Sequence, residues 1–198
     1  MILKNPSEEQ ADLDILVDLK HKKRIAILGS PGAGKTTFAK KLSELTHLPI
    51  YHIDDVNWME QWKMIPPENL NKEIFEIANR SEWIIDGNYS QAAFDIRIAR
   101  ADLIIMLDYS TLTCLYQAIK RAIQQWFGQK ELLPEKIKAS KKKYRPGFKL
   151  SFALFRYIWN FQRDSRPMVL EKLSVCSVPV LIFNNSRDAE KFLANADI

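Results

Sequence analysis

The run Gly29-Ser30-Pro31-Gly32-Ala33-Gly34-Lys35-Thr36 carries the pattern G-x-x-x-x-G-K-[ST], a spacing that wraps backbone N–H groups around a polyphosphate. Glycines supply the backbone freedom such a loop needs, and a helix opening at Lys35 adds the positive end of its dipole. Lys35 is placed to reach the β- and γ-phosphates, and the Thr36 hydroxyl to ligate Mg²⁺. With Thr37, the loop residues form a candidate site for ATP and Mg²⁺. The chemistry such a site performs is set by what stands opposite it.

Three further apolar runs end in carboxylates: Asp54-Asp55, Asp86 and Asp108. Mg²⁺ takes oxygen ligands and keeps several waters, so one or two carboxylates suffice. Asp86 is the candidate magnesium ligand beside Thr36. Asp54 is the candidate contact or base for a phosphoryl acceptor. Asp108, followed by Ser110 and Thr111, reads more simply as a helix-start residue. Arg163 and Arg166 sit three apart next to Pro167, where a helix ends or restarts. Their planar guanidinium groups suit a phosphoryl group in transfer. The three histidines, His21, His47 and His52, lack metal-ligand spacing. His52 reads as a structural residue on a strand.

The elements that must position these groups follow from hydrophobic pattern. Short, nearly continuous apolar runs at 25–28, 50–53, 83–85, 103–107 and 180–183 read as buried parallel strands. Helical stretches intervene at about 35–45, 67–80, 90–100, 111–127, 165–174 and 186–195, the alternation of a doubly wound α/β sheet. Residues 7–20 read as a further N-terminal helix. Phe152, Phe155 and Trp159, at i, i+3 and i+7, read as a core-facing stripe. Trp58 and Trp62 are placed to wall an acceptor pocket or simply to pack.

The chain has 198 residues, 46% of them apolar and 27% charged, which fits one globular domain with a sizeable core. Its apolar runs are too short to span a bilayer. The acidic turn soon after Met1 gives no signal-peptide pattern, and two cysteines make no disulfide framework. A cytoplasmic protein without a membrane partner is expected. The net charge of +5 hides an asymmetry. Residues 120–166 hold 13 Lys and Arg against 3 Asp and Glu, while the remainder is net −5. This basic insert attracts phosphates, whether on a small nucleotide, a nucleic acid or a membrane surface.

The segments GSPGAGKTT (29–37), YHIDDVNW (51–58), WIIDGNY (83–89), the R-x-x-R-A-D run at 97–102 and WNFQRDSRP (159–167) together resemble the nucleoside monophosphate kinase-like group of P-loop proteins. Within it they most resemble the bacterial DNA topology modulation proteins. The resemblance implies a P-loop NTPase fold with a five-stranded parallel sheet in the order 2-3-1-4-5. It also implies a mobile lid, for which the helical basic insert at residues ~125–165 is the candidate, while residues 1–20 form an N-terminal helical extension that the resemblance does not cover. Asp86-Gly87 matches the Asp-Gly pair of adenylate-kinase-like enzymes. Their acceptor-phosphate arginine soon after that pair has no counterpart at Asn88-Tyr89, which leaves Arg97 or Arg100 as substitutes. Arg121 corresponds to their nucleotide-binding arginine at the lid entrance, and Arg163 and Arg166 to the lid-exit arginines.

The sequence favours a kinase transferring the γ-phosphoryl of MgATP to a small-molecule acceptor such as a nucleotide, with carboxylates at several strand ends and Arg163 and Arg166 beside a hinge. One alternative is a nucleotide-switched protein whose basic insert grips nucleic acid. The other is a kinase of a non-nucleotide metabolite, as in shikimate- or gluconate-kinase-like relatives.

Overall fold

A computed structural model describes residues 2–4, 19–59, 63–87, 91–127 and 148–196. Six strands form one parallel sheet: β1 (Ile2–Lys4), β2 (Arg24–Gly29), β3 (Ile50–His52), β6 (Trp83–Asp86), β7 (Leu103–Leu107) and β8 (Val180–Phe183). A two-stranded hairpin, β4 (Trp58–Met59) with β5 (Lys63–Met64), stands apart from it. The helices are α1 (Lys35–Thr46), α2 (Ile53–Asn57), α3 (Pro67–Ala78), α4 (Gln91–Ile98), α5 (Thr111–Trp126), α6 (Phe148–Asp164), α7 (Arg166–Ser174) and α8 (Ser186–Asn195).

The main sheet runs β1-β8-β7-β2-β6-β3. The five expected strands therefore lie in the order 2-3-1-4-5. The correction is a sixth strand, Ile2–Lys4, which pairs with the opposite end of the chain in the register Ile2↔Val180. Three residues carry too little periodicity to announce such a partner. The expected helix over 7–20 falls mostly on residues 5–18, outside the described residues; Leu19–His21 is a short 3₁₀ turn.

Successive strand residues point to opposite faces, and both faces are covered. Ile25, Ile27, Leu103, Ile105 and Phe183 pack beneath α1, α5 and α8 through Phe38, Leu42, Cys114 and Leu193. Ala26, Leu28, Ile85, Ile104 and Met106 pack beneath α3, α4 and α7 through Leu70, Ile74, Phe94 and Leu173. This two-sided burial is why the strands read as continuous apolar runs.

The basic insert is seen only at its flanks, because residues 128–147 lie outside the described residues. On α6 the expected stripe is corrected: Phe152, Phe155 and Trp159 are 60%, 42% and 58% exposed. The residues that dock are Ile158 and Phe161, on a different face, and Gln162 donates from its Nε2 to the Tyr109 carbonyl at 3.0 Å. The second half of α6 packs on the core through Ile158 and Phe161, whereas residues 152–157 are exposed, as are Ile119 and Ile123 of α5 and Phe127 just after it.

Candidate active site

The loop between β2 and α1 follows the glycine pattern closely. Gly32 has φ +83°, and a Cβ there would stand 2.2 Å from the Cys114 carbonyl oxygen. The loop thus passes against the first turn of α5 with no room for a side chain. Ser30 and Ala33 are buried, Pro31, Gly32, Gly34 and Thr36 are half-buried, and Thr37 is exposed. Lys35 folds over the loop, and its Nζ donates to the carbonyls of Gly29 at 2.9 Å and Ser30 at 3.1 Å. Desolvation lowers its pKa, opposed by the charges of Asp86 and Asp54, while Arg121 adds a smaller lowering. The charges of both carboxylates and of the exposed Arg121 of α5 thus act on the same ammonium group.

Asp86 is the centre of the constellation. It ends β6, is 3% exposed, and accepts a hydrogen bond from the Thr36 hydroxyl at 2.9 Å. Its other oxygen lies 2.7 Å from His52 Nδ1. The contact follows from sheet register, in which His52 stands directly beside Asp86 on neighbouring strands. Burial opposes charge on His52, but the hydrogen bond and charge of Asp86 outweigh it and raise the imidazole pKa. Reading His52 by itself as a structural histidine therefore missed its partner. The signal was available in its position at the end of the second strand, level with the end of the third.

Gly87 then turns the chain with φ +123°, where a Cβ would meet the Ile53 Cβ at 3.0 Å. The Asp-Gly pair thus lets α2 begin close beside Asp86. Strand β3 stops at His52, so Asp54 and Asp55 occupy the first turn of α2 rather than a strand end. Asp54 is exposed and Asp55 half-buried.

The arginines are placed unequally. Arg97 is fully buried and donates to the Gly87 carbonyl at 2.6 Å and the Ala93 carbonyl at 3.0 Å. Burial lowers its pKa to about 10, partly opposed by the charge of Asp86. It fastens the Gly87 turn to α4. Arg100 donates to the Asn79 side chain at 2.8 Å and lies over the Phe75 ring. Arg166 holds the buried Asp108 carboxylate with contacts of 2.7–2.8 Å. Asp108 thus ties the start of α7 to the end of β7. Arg163 is largely exposed and pairs with its neighbour Asp164. Trp58 belongs to β4 by its backbone, and Trp62 lies outside the described residues.

A solved shikimate kinase from Acinetobacter baumannii, in complex with shikimate, superposes with a TM-score of 0.52 at 12% identity, covering 89% of this chain and 91% of that one. The fold is thus the α/β P-loop fold that this structure shares, a parallel sheet flanked by helices. By sequence, the chain is similar to an adenylate kinase of Rickettsia bellii, with 34% identity over a match covering 35% of this chain and 44% of that protein. The chain thus spans less than half the length of the curated relative it matches. No protein-family model matches the chain.

Proposed function

We propose that this protein is a P-loop phosphotransferase that uses MgATP to phosphorylate a small-molecule acceptor. The observation that carries this reading is the Asp86 carboxylate hydrogen-bonded to the Thr36 hydroxyl, across from Lys35. Two hard-oxygen donors side by side suit Mg²⁺, which takes few protein ligands beside phosphate and water. Among the described residues no group of three or more His, Cys, Asp and Glu side chains gathers as a metal site. A magnesium ion here would be held by the Thr36 hydroxyl and the Asp86 carboxylate, together with the triphosphate and water.

The chemistry it would supply when bound is neutralisation of charge on the β- and γ-phosphates. The residues 29–37 cradle the triphosphate, and Lys35 exchanges its two carbonyl partners for phosphate oxygens. His52 holds the second oxygen of Asp86, leaving the first for the metal side. Asp54 orients the acceptor hydroxyl and takes its proton. Arg121 meets the nucleotide at the entrance of the basic insert. Arg163 and Arg166, at its exit, stabilise charge on the phosphoryl group in flight. The insert at ~125–165 acts as a lid that excludes water. Arg166 must then exchange Asp108 for phosphate, whereas Arg163 has only a surface pair to give up.

The likeness of WIIDGNY and WNFQRDSRP to the DNA topology modulation proteins supports placing the chain beside that group. Among the described residues no helix is long and apolar enough to cross a membrane, and action in the cytoplasm is part of this proposal. The test is ADP formation by purified protein with MgATP against panels of nucleotides and small metabolites. Acceptor-dependent ADP release is the expected result. DNA binding that falls steeply with salt, without acceptor-dependent turnover, replaces the kinase reading with the nucleic-acid one.

A further inference from the structure

Two consecutive helices leave apolar stripes in water. On α5, Leu112, Tyr116, Ile119 and Ile123 recur at i, i+4, i+7 and i+11, along one face of the helix. All four are at least 50% exposed, while Cys114 buries the other side. Phe127, just past the helix, is exposed as well. On α6, which lies against α5, Phe152, Phe155 and Trp159 form a second exposed stripe. An aromatic side chain offers about 150–250 Å² of surface. Tyr116, Phe127 and these three rings therefore leave on the order of 600 Å² in water, as much as the largest apolar patch of an ordinary monomer. Apolar surface of that extent marks a place of interaction.

Charge decides what meets it. Lys120 stands four residues after Tyr116, and Arg156 four after Phe152, so an exposed cation borders each stripe. With Arg121, Arg163 and Arg166 set aside for the phosphates of ATP, residues 120–166 still hold ten Lys and Arg against three Asp and Glu. A second copy of the chain would bring two such like-charged stretches together, which is unfavourable. Single-stranded nucleic acid stacks on aromatic rings, but Leu112, Ile119 and Ile123 offer it nothing. Aliphatic and aromatic groups bordered by Lys and Arg are instead the composition of helices that lie in the interface of an anionic bilayer. There the apolar side chains enter the acyl boundary, and the long cationic ones reach the headgroup phosphates.

We propose that the exposed face of α5 and α6 docks peripherally on a membrane surface that carries anionic lipid. Peripheral docking differs from spanning, for which none of the described helices is long and apolar enough. The expectation of no membrane partner concerned spanning runs and does not bear on it. The docking face holds whether or not the chain is a kinase.

The test is flotation of the full chain with vesicles of phosphatidylcholine, alone or mixed with phosphatidylglycerol. Binding to the mixed vesicles should be at least about tenfold tighter. Two double variants, Ile119→Ser with Ile123→Ser and Phe152→Ser with Phe155→Ser, should each weaken it by about tenfold or more, the scale of two apolar side chains no longer buried. Neither pair should lower the melting temperature of the free protein, because all four residues are exposed. Absence of wild-type binding, or equal binding by the variants, overturns the proposal. A large fall in melting temperature shows that the rest of the chain covers these stripes, and also overturns it. A concentration-dependent dimer in light scattering, lost in both variants, assigns the face to a second copy instead. Binding of single-stranded DNA in place of vesicles, lost only with the phenylalanines, assigns it to nucleic acid.

Discussion

Asp86 gathers three roles into one carboxylate: it holds Thr36, accepts from His52 and balances the charge of Lys35. Asp54 lies exposed and adds its charge to the field at Lys35. The two aspartates should therefore separate by role. Asp86→Asn should raise the Mg²⁺ concentration needed for half-maximal turnover and lower kcat. Asp54→Asn should bind MgATP normally and lose acceptor phosphorylation by about a hundredfold or more, the scale of a lost general base. Magnesium titrations of ATP binding and of turnover distinguish the two, and identical responses would contradict the division. At this scale the loop residues were legible because the spacing of Gly29, Gly34, Lys35 and Thr36 is local. The roles of His52 and Arg97 were not, since both depend on residues brought close by strand register or by a turn.

Two fastenings between elements carry predictions of their own. Asp102 accepts from the backbone N–H groups of Lys23 and Arg24 and from the Arg24 guanidinium, tying the start of β7 to the start of β2. Burial opposes its charge, but these bonds outweigh it and lower its pKa. A carboxyl depressed on folding stabilises the protein above its unfolded pKa and loses that effect as pH falls through the folded value. Asp102→Asn should thus cost about 1–2 kcal/mol near pH 7. That difference should shrink as pH falls from the ordinary carboxylate range through the depressed folded value. Urea denaturation at neutral pH and along an acid titration checks it. The second fastening is Arg166 on Asp108. Arg166→Ala strands a buried carboxylate and should cost on the order of 3 kcal/mol, while Arg163→Ala should stay within about 0.5 kcal/mol. If both act on the phosphoryl group, each should also lower kcat more than it weakens ATP binding. Stability and kinetics measured on the same variants separate the two effects. Proximity to Pro167 made the arginine pair visible as a hinge feature. The partner of Arg166, at the end of a strand 58 residues earlier, was not visible.

Across the whole molecule, the sequence joins a mildly acidic body that carries the phosphate loop to a strongly basic stretch over residues 120–166. The order of the five central strands was legible through the resemblance, because each strand is an apolar run long enough to recognise. The edge strand Ile2–Lys4 was not, since its only neighbour is the last strand of the sheet. The stripe of Phe152, Phe155 and Trp159 misled for a related reason. Helical periodicity identifies a face, but only the end of β7 and Tyr109 decide that Ile158 and Phe161 supply the docked one. The account stands or falls on the assembly of Lys35, Thr36 and Asp86 into one triphosphate site. The measurement that tests it most directly is calorimetric titration of ATP, with and without Mg²⁺, into the wild-type protein and Lys35→Ala, with circular dichroism confirming the fold of both. The account predicts magnesium-dependent binding by the wild type and a loss of at least about a hundredfold in the variant, the scale of two or more charge-assisted phosphate contacts. Equal affinity in the two proteins, or binding indifferent to magnesium, would contradict it.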